Sequence, residues 1–327
     1  MSRYIAQRLL HTIVVLFGVA VLTFALIHLT PGDPVLVMLG QDATPSELER
    51  LRHLLELDQP LPVQFGHYLA RLATGQLGDS IFQHQPVTKL LGDRFPATIE
   101  LTIAAMIVAI TLGVTTGLIS ALTPYSVFDI IAMLIALSGI AMPVFWLGML
   151  GILLFALQLG WLPSFGRGEP LTEAVRSWIK YGDPYDVLDA LRHLLLPAVT
   201  LGAFSTALIS RLVRSALLEV LGQDYVRTAH AKGLHNLNIV AQHALPNALI
   251  PVVTVIGLQV GTLLGGAIIA ETIFAWPGIG RLLVQAINQR DYPLVQGIVL
   301  LTAVIVSLIN LTVDLLYGAI NPRVRYG

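Results

Sequence analysis

The sequence predicts an all-α polytopic membrane protein, and three observations carry that prediction. Hydrophobic residues make up 55% of the 327-residue chain and charged residues only 12%, with a mean hydropathy of +0.76; an ordinary soluble domain carries about 25% charged residues. The charges are spaced to leave long charge-free windows at 9–32, 101–128, 130–166, 193–210, 233–270 and 292–313. Each holds enough apolar residues to cross a bilayer, which takes about 20 at roughly 1.5 Å rise per residue. The polar stretches outside these windows carry caps and stops of short amphipathic helices.

Six transmembrane helices are therefore expected, near 10–30, 97–122, 130–158, 194–214, 248–270 and 295–318. The first resembles a secretory signal because Arg3 and Arg8 precede it. Its apolar run is longer than a signal core, however, and it is followed by "TPGDP", where Pro31 and Pro34 stop the helix, with no A-x-A-like cleavage site. It reads as a retained span. An even number of spans puts both termini on one side, and Arg3, Arg8, Arg323 and Arg325 place that side in the cytoplasm by the positive-inside rule. Residues 211–247 then lie inside, with Arg211, Arg214, Arg227 and Lys232 against Glu219 and Asp224. Residues 31–95, 159–193 and 271–294 lie outside, and the first of these carries eight acids and five bases.

The external segment opens with "TPSELERLRHLLELD": Thr44 suits an N-cap, Pro45 the first helical position, and Glu47 the return partner of a capping box. Leu48, Leu51, Leu54 and Leu55 share one face, and a second amphipathic helix near Val63–Ala73 stops at Gly75. The chain thus divides into an N-terminal span with external helices (1–95), a membrane core (96–318) that includes a cytoplasmic loop at 215–247, and a cytoplasmic tail (319–327).

That loop holds a polar stretch set between two apolar spans, "DYVRTAHAKGLHNLNIVAQHALPN" at 224–247. Asp224 suits an N-cap, Tyr225–Lys232 makes two helical turns, and Gly233 suits the left-handed C′ position. A second helical piece, His235–Ala244, leads to Pro246 and the next span. Whatever grips a short rigid helix tied this closely to two spans also moves them; an ordinary amphipathic connector is the alternative.

Other chemistries find little support. A net charge of −1 argues against nucleic acid, and the absence of cysteine removes disulfide and thiolate metal sites. His230, His235 and His243 are not at i, i+4 spacing, so no metal site is expected. There is no G-x-x-x-x-G-K-[ST], H-E-x-x-H or G-x-S-x-G pattern, so the chain has no phosphate loop of its own and no hydrolase signature. Gly257, Gly261 and Gly265 recur every fourth residue, as do Gly113 and Gly117, which suits close helix packing. Asp314 lies inside the last span and needs a partner or a cavity; Arg211 and Arg214 are the expected partners.

Residues 227–246 resemble the EAA loop of binding-protein-dependent ABC importer permeases, with Arg227-Thr228-Ala229 at the triplet, Gly233 at its glycine and His243-Ala244-Leu245-Pro246 at its close. "DYVRTAHAKGL" and "HAL" are similar to the dipeptide/oligopeptide/nickel branch of that family, as are "PGDP" at 31–34, "LDQP" at 57–60, "RFPATIEL" at 94–101, "MPVFWLG" at 142–148, "ETIFAWPGIGR" at 271–281, "RDYPLVQG" at 290–297 and "NPRVR" at 321–325. "GQLGDS" at 75–80 is looser, with Gln76 where the branch has an acid.

The resemblance implies the type I ABC importer transmembrane fold in a bacterial inner membrane, most like the first, B-type, of two paired permeases. It implies a second homologous permease, two cytoplasmic ATPase subunits that hydrolyse ATP with Mg, and an external binding protein that delivers a small peptide; this chain would bind no cofactor. Asp224, Tyr225, Arg227, Thr228, Ala229, Lys232, Gly233 and Leu234 would form the ATPase-coupling helix, and Gly257, Gly261, Gly265 and Asp314 would serve packing or the translocation path. Glutathione or nickel chelates are alternative cargoes. An ion-coupled secondary transporter is the alternative from another class, though no repeated halves are visible.

Overall fold

The computed structural model describes residues 2–29, 35, 44–54 and 56–320; among these it contains helices and no strand. The "PGDP" and "NPRVR" motifs, Leu55 and the side chains of Leu51 and Leu54 lie outside the described residues. Among the described residues, five helices are long and apolar enough to cross a membrane. They are α1 (Ser2–Leu29), α4 (Val87–Leu122), α8 (Tyr185–Leu221), α10 (Asn236–Ile273) and α12 (Tyr292–Ile320). Shorter helices lie between them: α2 (Pro45–Leu54), α3 (Leu61–Ala73), α7 (Leu171–Tyr181), α9 (Asp224–Ala231) and α11 (Ile279–Gln289).

The span expected as one helix over 130–158 is instead two, α5 (Val127–Ala141) and α6 (Val144–Gln158), which meet at 113°. Pro143 causes the break. It has no N–H to continue α5, and its ring drives Met142 out of the helical region to φ −96°, ψ 133°. From Ile152 onward α6 widens to i→i+5 bonding, which closes with Leu159 N–H on Leu154 O at 3.0 Å.

At the start of α2 the amide and hydroxyl of Thr44 both donate to Glu47 Oε2, at 2.9 and 2.7 Å. These bonds hold the Glu47 carboxyl below its usual value. α3 ends as its sequence predicts, with Gly75 in the left-handed region at φ +74°. α7 and α11 were not expected. Each is a short amphipathic helix whose polar residues place it outside the charge-free windows.

The chain forms two compact units, one built mainly of residues up to Phe95 with Leu282–Leu311, the other of Pro96–Arg281 with Thr312–Arg323. In the first, Phe24 stacks edge-on to Phe65 at 5.1 Å, beside buried Ala20, Tyr68 and Leu300. The Thr23 and Tyr68 hydroxyls meet at 3.1 Å, and Gln296 donates to Thr23 O at 3.1 Å. Asp291, with no exposed surface, accepts from the Ser80 hydroxyl and from Leu294 N–H at 3.3 Å. The "GQLGDS" and "RDYPLVQG" motifs therefore meet in space.

The second unit is held at its two ends by polar contacts. Glu271 is fully buried; its Oε1 accepts from the Thr98 hydroxyl at 2.6 Å and its Oε2 from Arg281 N–H at 3.0 Å. Thr98 Oγ1 in turn accepts from Ile279 N–H at 2.9 Å, and Trp276 Nε1 donates to Ala97 O at 2.8 Å. About 30 Å along α4, at 1.5 Å per residue, Asp129 accepts from Arg214 Nε and Nη2 at 3.0 and 2.8 Å and from the Ser120 hydroxyl. Between the ends, small residues let backbones touch: a Cβ on Gly113 would stand 2.8 Å from Ile209 Cβ, and one on Gly117 2.8 Å from Val213 Cβ.

Thr98→Val is isosteric but removes the donor to Glu271 and the acceptor for Ile279 together. Leaving buried polar groups unsatisfied should cost on the order of 1–3 kcal/mol. Thermal unfolding in detergent should show a lowered midpoint; an unchanged midpoint would show that these bonds do not hold the unit.

Candidate functional site

The polar loop between α8 and α10 is where sequence and geometry converge. α8 ends at Leu221, and Gly222 and Gln223 turn the chain into α9. Gln223, with extended backbone at φ −75° and ψ 152°, takes the N-cap position predicted for Asp224. Asp224 is the first helical residue instead, so α9 begins one residue earlier than an aspartate N-cap would start it. A carboxylate there still faces the positive end of the helix, and it pairs with Arg227 Nη2 at 3.3 Å. Both side chains are largely exposed, so this pair adds little stability.

α9 has an inner and an outer face. Val226 and Ala229, one turn apart, are buried against Ile239, with Val220 and Leu221 beside them. Ala229, named with the residues of the implied coupling helix, points back into its own chain, since the i, i+3 apolar pair covers Ile239. Tyr225, Arg227, Thr228, Lys232 and Leu234 lie on the exposed side with Asp224. The Tyr225 hydroxyl donates to His243 O at 3.4 Å and accepts from Asn247 Nδ2 at 3.3 Å, which fastens the start of α9 to the root of α10.

Gly233 adopts φ +76°, the left-handed conformation predicted for it. Its N–H reaches His230 O at 2.9 Å and Leu234 N–H reaches Ala229 O at 3.3 Å, which satisfies the last carbonyls of α9. The expected second piece, His235–Ala244, exists but is not separate: Asn236–Asn238 and a widened stretch, Ile239–Ala244, run without a break into the span. From Asn236 onward the chain is therefore continuous helix into the span, joined to α9 by the turn at Gly233. Leu237, 68% exposed, was not singled out from the sequence; like Tyr225 and Leu234 it is an exposed large apolar side chain of this loop, in which Arg227 and Lys232 are exposed as well.

The residues proposed for packing or the path divide. A Cβ on Gly257 would stand 2.7 Å from Val313 Cγ2, so this glycine permits close approach of α10 to α12 within one chain. Gly261 is partly buried and Gly265 is exposed, with nothing within 4 Å of the place a Cβ would take. Asp314 is partly buried in α12. Arg214, one of the two arginines expected to meet it, places Nε and Nη2 on Asp129. Sequence reasoning missed the roles of Asp129, Glu271 and Asp291. Their signal was present as isolated acids flanking apolar windows, two of them within the motifs at 271–281 and 290–297.

Comparisons with known proteins agree with this arrangement. Residues 113–326 match the model of the family described as binding-protein-dependent transport system inner membrane component, and residues 1–102 match that of its N-terminal region. The chain is 47% identical, over the whole of both chains, to the dipeptide transport system permease protein DppB of Alkalihalophilus pseudofirmus strain OF4. It is 43% identical, again over the whole of both, to the glutathione transport system permease protein GsiC of Escherichia coli strain CFT073. Among solved structures, an inward-facing MetNI methionine ABC transporter chain matches with a TM-score of 0.53 at 20% identity, covering 72% of this chain and 97% of that one, which shows the shared type I importer fold. The chain belongs to the family of inner-membrane components of binding-protein-dependent transport systems, as a permease subunit of an ABC importer.

Proposed function

We propose that this permease carries dipeptides or short oligopeptides across a bacterial inner membrane, with both termini in the cytoplasm. An external binding protein delivers the peptide, a homologous second permease completes the pore, and two ATPase subunits supply energy by hydrolysing ATP with Mg. The observation that carries the substrate is the end-to-end 47% identity to a dipeptide permease. Glutathione is the second reading, supported by the full-length relative at 43%; it too is a short zwitterionic peptide. Reconstituted with these partners, the chain should import alanyl-alanine with ATP and no ion gradient. Uptake that needs an ion gradient would point to secondary transport, and uptake of glutathione alone to the second reading.

The outer face of α9 supports docking of an ATPase: Tyr225, Leu234 and Leu237 offer apolar area, Asp224, Arg227, Thr228 and Lys232 polar contacts, and Gly233 sets the exit direction. Gly233→Pro cannot adopt φ +76° because the proline ring fixes φ near −65°. Uptake and substrate-stimulated ATP hydrolysis should both disappear while the chain still inserts. Normal uptake at matched expression would defeat the coupling assignment. Ala229→Leu should fail for another reason, by forcing α9 off Ile239.

The glycine face of α10 gives a second contrast. Gly257→Leu should lower the stability of the isolated chain, since it collides with Val313. Gly265→Leu should leave that stability alone and impair only pairing with the second permease. A Gly265→Leu complex that assembles and transports normally would show that this end of the face looks at lipid.

A further inference from the structure

The end of the second unit remote from the coupling loop contains an ion pair that the fold does not explain. Arg167, in the loop between α6 and α7, places Nε 3.1 Å from Glu100 Oε2 on α4, and its Nη2 reaches the same oxygen. Both side chains are largely buried, at 15% and 12% exposure. The other carboxylate oxygen, Glu100 Oε1, is buried with no hydrogen-bond partner among the described residues. The guanidinium lies 5.8 Å over the ring of Trp276, which is itself fixed to Ala97 O. Glycines at 160, 166 and 168, all left-handed, shape the loop, and Gly166 N–H donates to Phe274 O at 2.8 Å.

A static brace would satisfy both oxygens, because an unmet buried acceptor costs free energy. Here the arginine's fork rests on one oxygen and the other is left over. A zwitterionic peptide crossing a medium of low polarity must have both of its end charges compensated. Two residues span roughly 7 Å at about 3.3–3.6 Å each, so a peptide can enter between an acid and a base that part by that length. We propose that Glu100 and Arg167 form a substrate-displaceable ion pair: Glu100 takes the peptide's α-ammonium, with Oε1 as its second acceptor, and Arg167 takes the α-carboxylate. One internal pair is exchanged for two pairs to the substrate, and the internal pair reforms behind it. The site lies about 30 Å along α4 from Ser120, at the end of the spans opposite the coupling loop. This inference rests on the peptide reading above.

The test compares alanyl-alanine uptake by native and Glu100→Gln/Arg167→Gln complexes in proteoliposomes, at equal amounts of assembled complex and with the same binding protein. The double variant keeps shape and a neutral hydrogen bond and strands no buried charge. Uptake should fall at least about tenfold. Native-level uptake by the double variant would overturn this inference alone, whereas a native complex that does not carry alanyl-alanine would overturn the dipeptide reading and this inference with it. Should the double variant not assemble, Arg167→Lys against Arg167→Gln decides. Lysine keeps the charge but loses the planar fork and the stacking, so charge recognition leaves Lys within about threefold of native and lowers Gln about tenfold. Equal losses in both would mark a structural brace and overturn the proposal.

Discussion

The buried carboxylate of Glu271 is the constraint on which the second unit depends. A carboxylate with no exposed surface is costly unless its oxygens receive donors. The donors come from Thr98 on α4 and from the backbone of Arg281 past the turn. The turn cannot close alone: Ala275 sits at φ +52°, unfavourable for a residue with a Cβ, and is held by Arg281 Nη1 on its carbonyl at 2.7 Å. Gly278 must be glycine, because a Cβ would fall on the Glu271 carboxylate. With α4 and α10 joined there, α8 fills the interior through Leu194, Ala198 and Leu201, packed with Leu101, Leu263 and Trp276. Asp291 uses the same device in the first unit, where it gathers Ser80 and the start of α12.

These joints explain which parts of the molecule the sequence reveals. Spans are legible because membrane insertion is a local property of composition: each charge-free window is occupied mainly by one helix, except where Pro143 folds one into two. Even there the proline was visible; what was not visible was that the second half would turn by 113°, since a proline in a membrane helix is as often bridged by its neighbours as obeyed. The helices extend past the windows, as α8 does to Tyr185 and α4 to Val87, because charged residues end an apolar run without ending a helix.

The polar contacts were the hard part. Asp129, Glu271 and Asp291 read as punctuation between spans, yet each is buried and organises its surroundings. Their partners lie far away in sequence, as Thr98 does from Glu271, and no local rule chooses among many hydroxyls. In the polar loop between α8 and α10 the left-handed Gly233 was legible because its backbone requirement is local, while the inward turn of Ala229 needed Ile239, which comes ten residues later. The motifs at 94–101 and 271–281 are two halves of one joint.

The same distribution of contacts determines how work applied at the loop can travel. α8 and α10 are each about 55 Å long at 1.5 Å per residue, and α9 sits between them, tied to α10 through Tyr225 and to the α8 terminus through Val226. Near the loop, Arg214 and Asp129 fasten α8 to α5; at the far end Glu271 fastens α10 to α4. Parting the first contact would break an ion pair and parting the second would strip a buried carboxyl of its donors, both unfavourable, whereas turning the helices together breaks neither. The glycine contacts between α4 and α8 reinforce this, since backbones that touch leave no slack for one helix to lag behind another. If α9 is displaced as proposed, the displacement would be delivered as movement of the whole helical group, and would reach the exposed surface around Gly265 and the ion pair of Glu100 and Arg167.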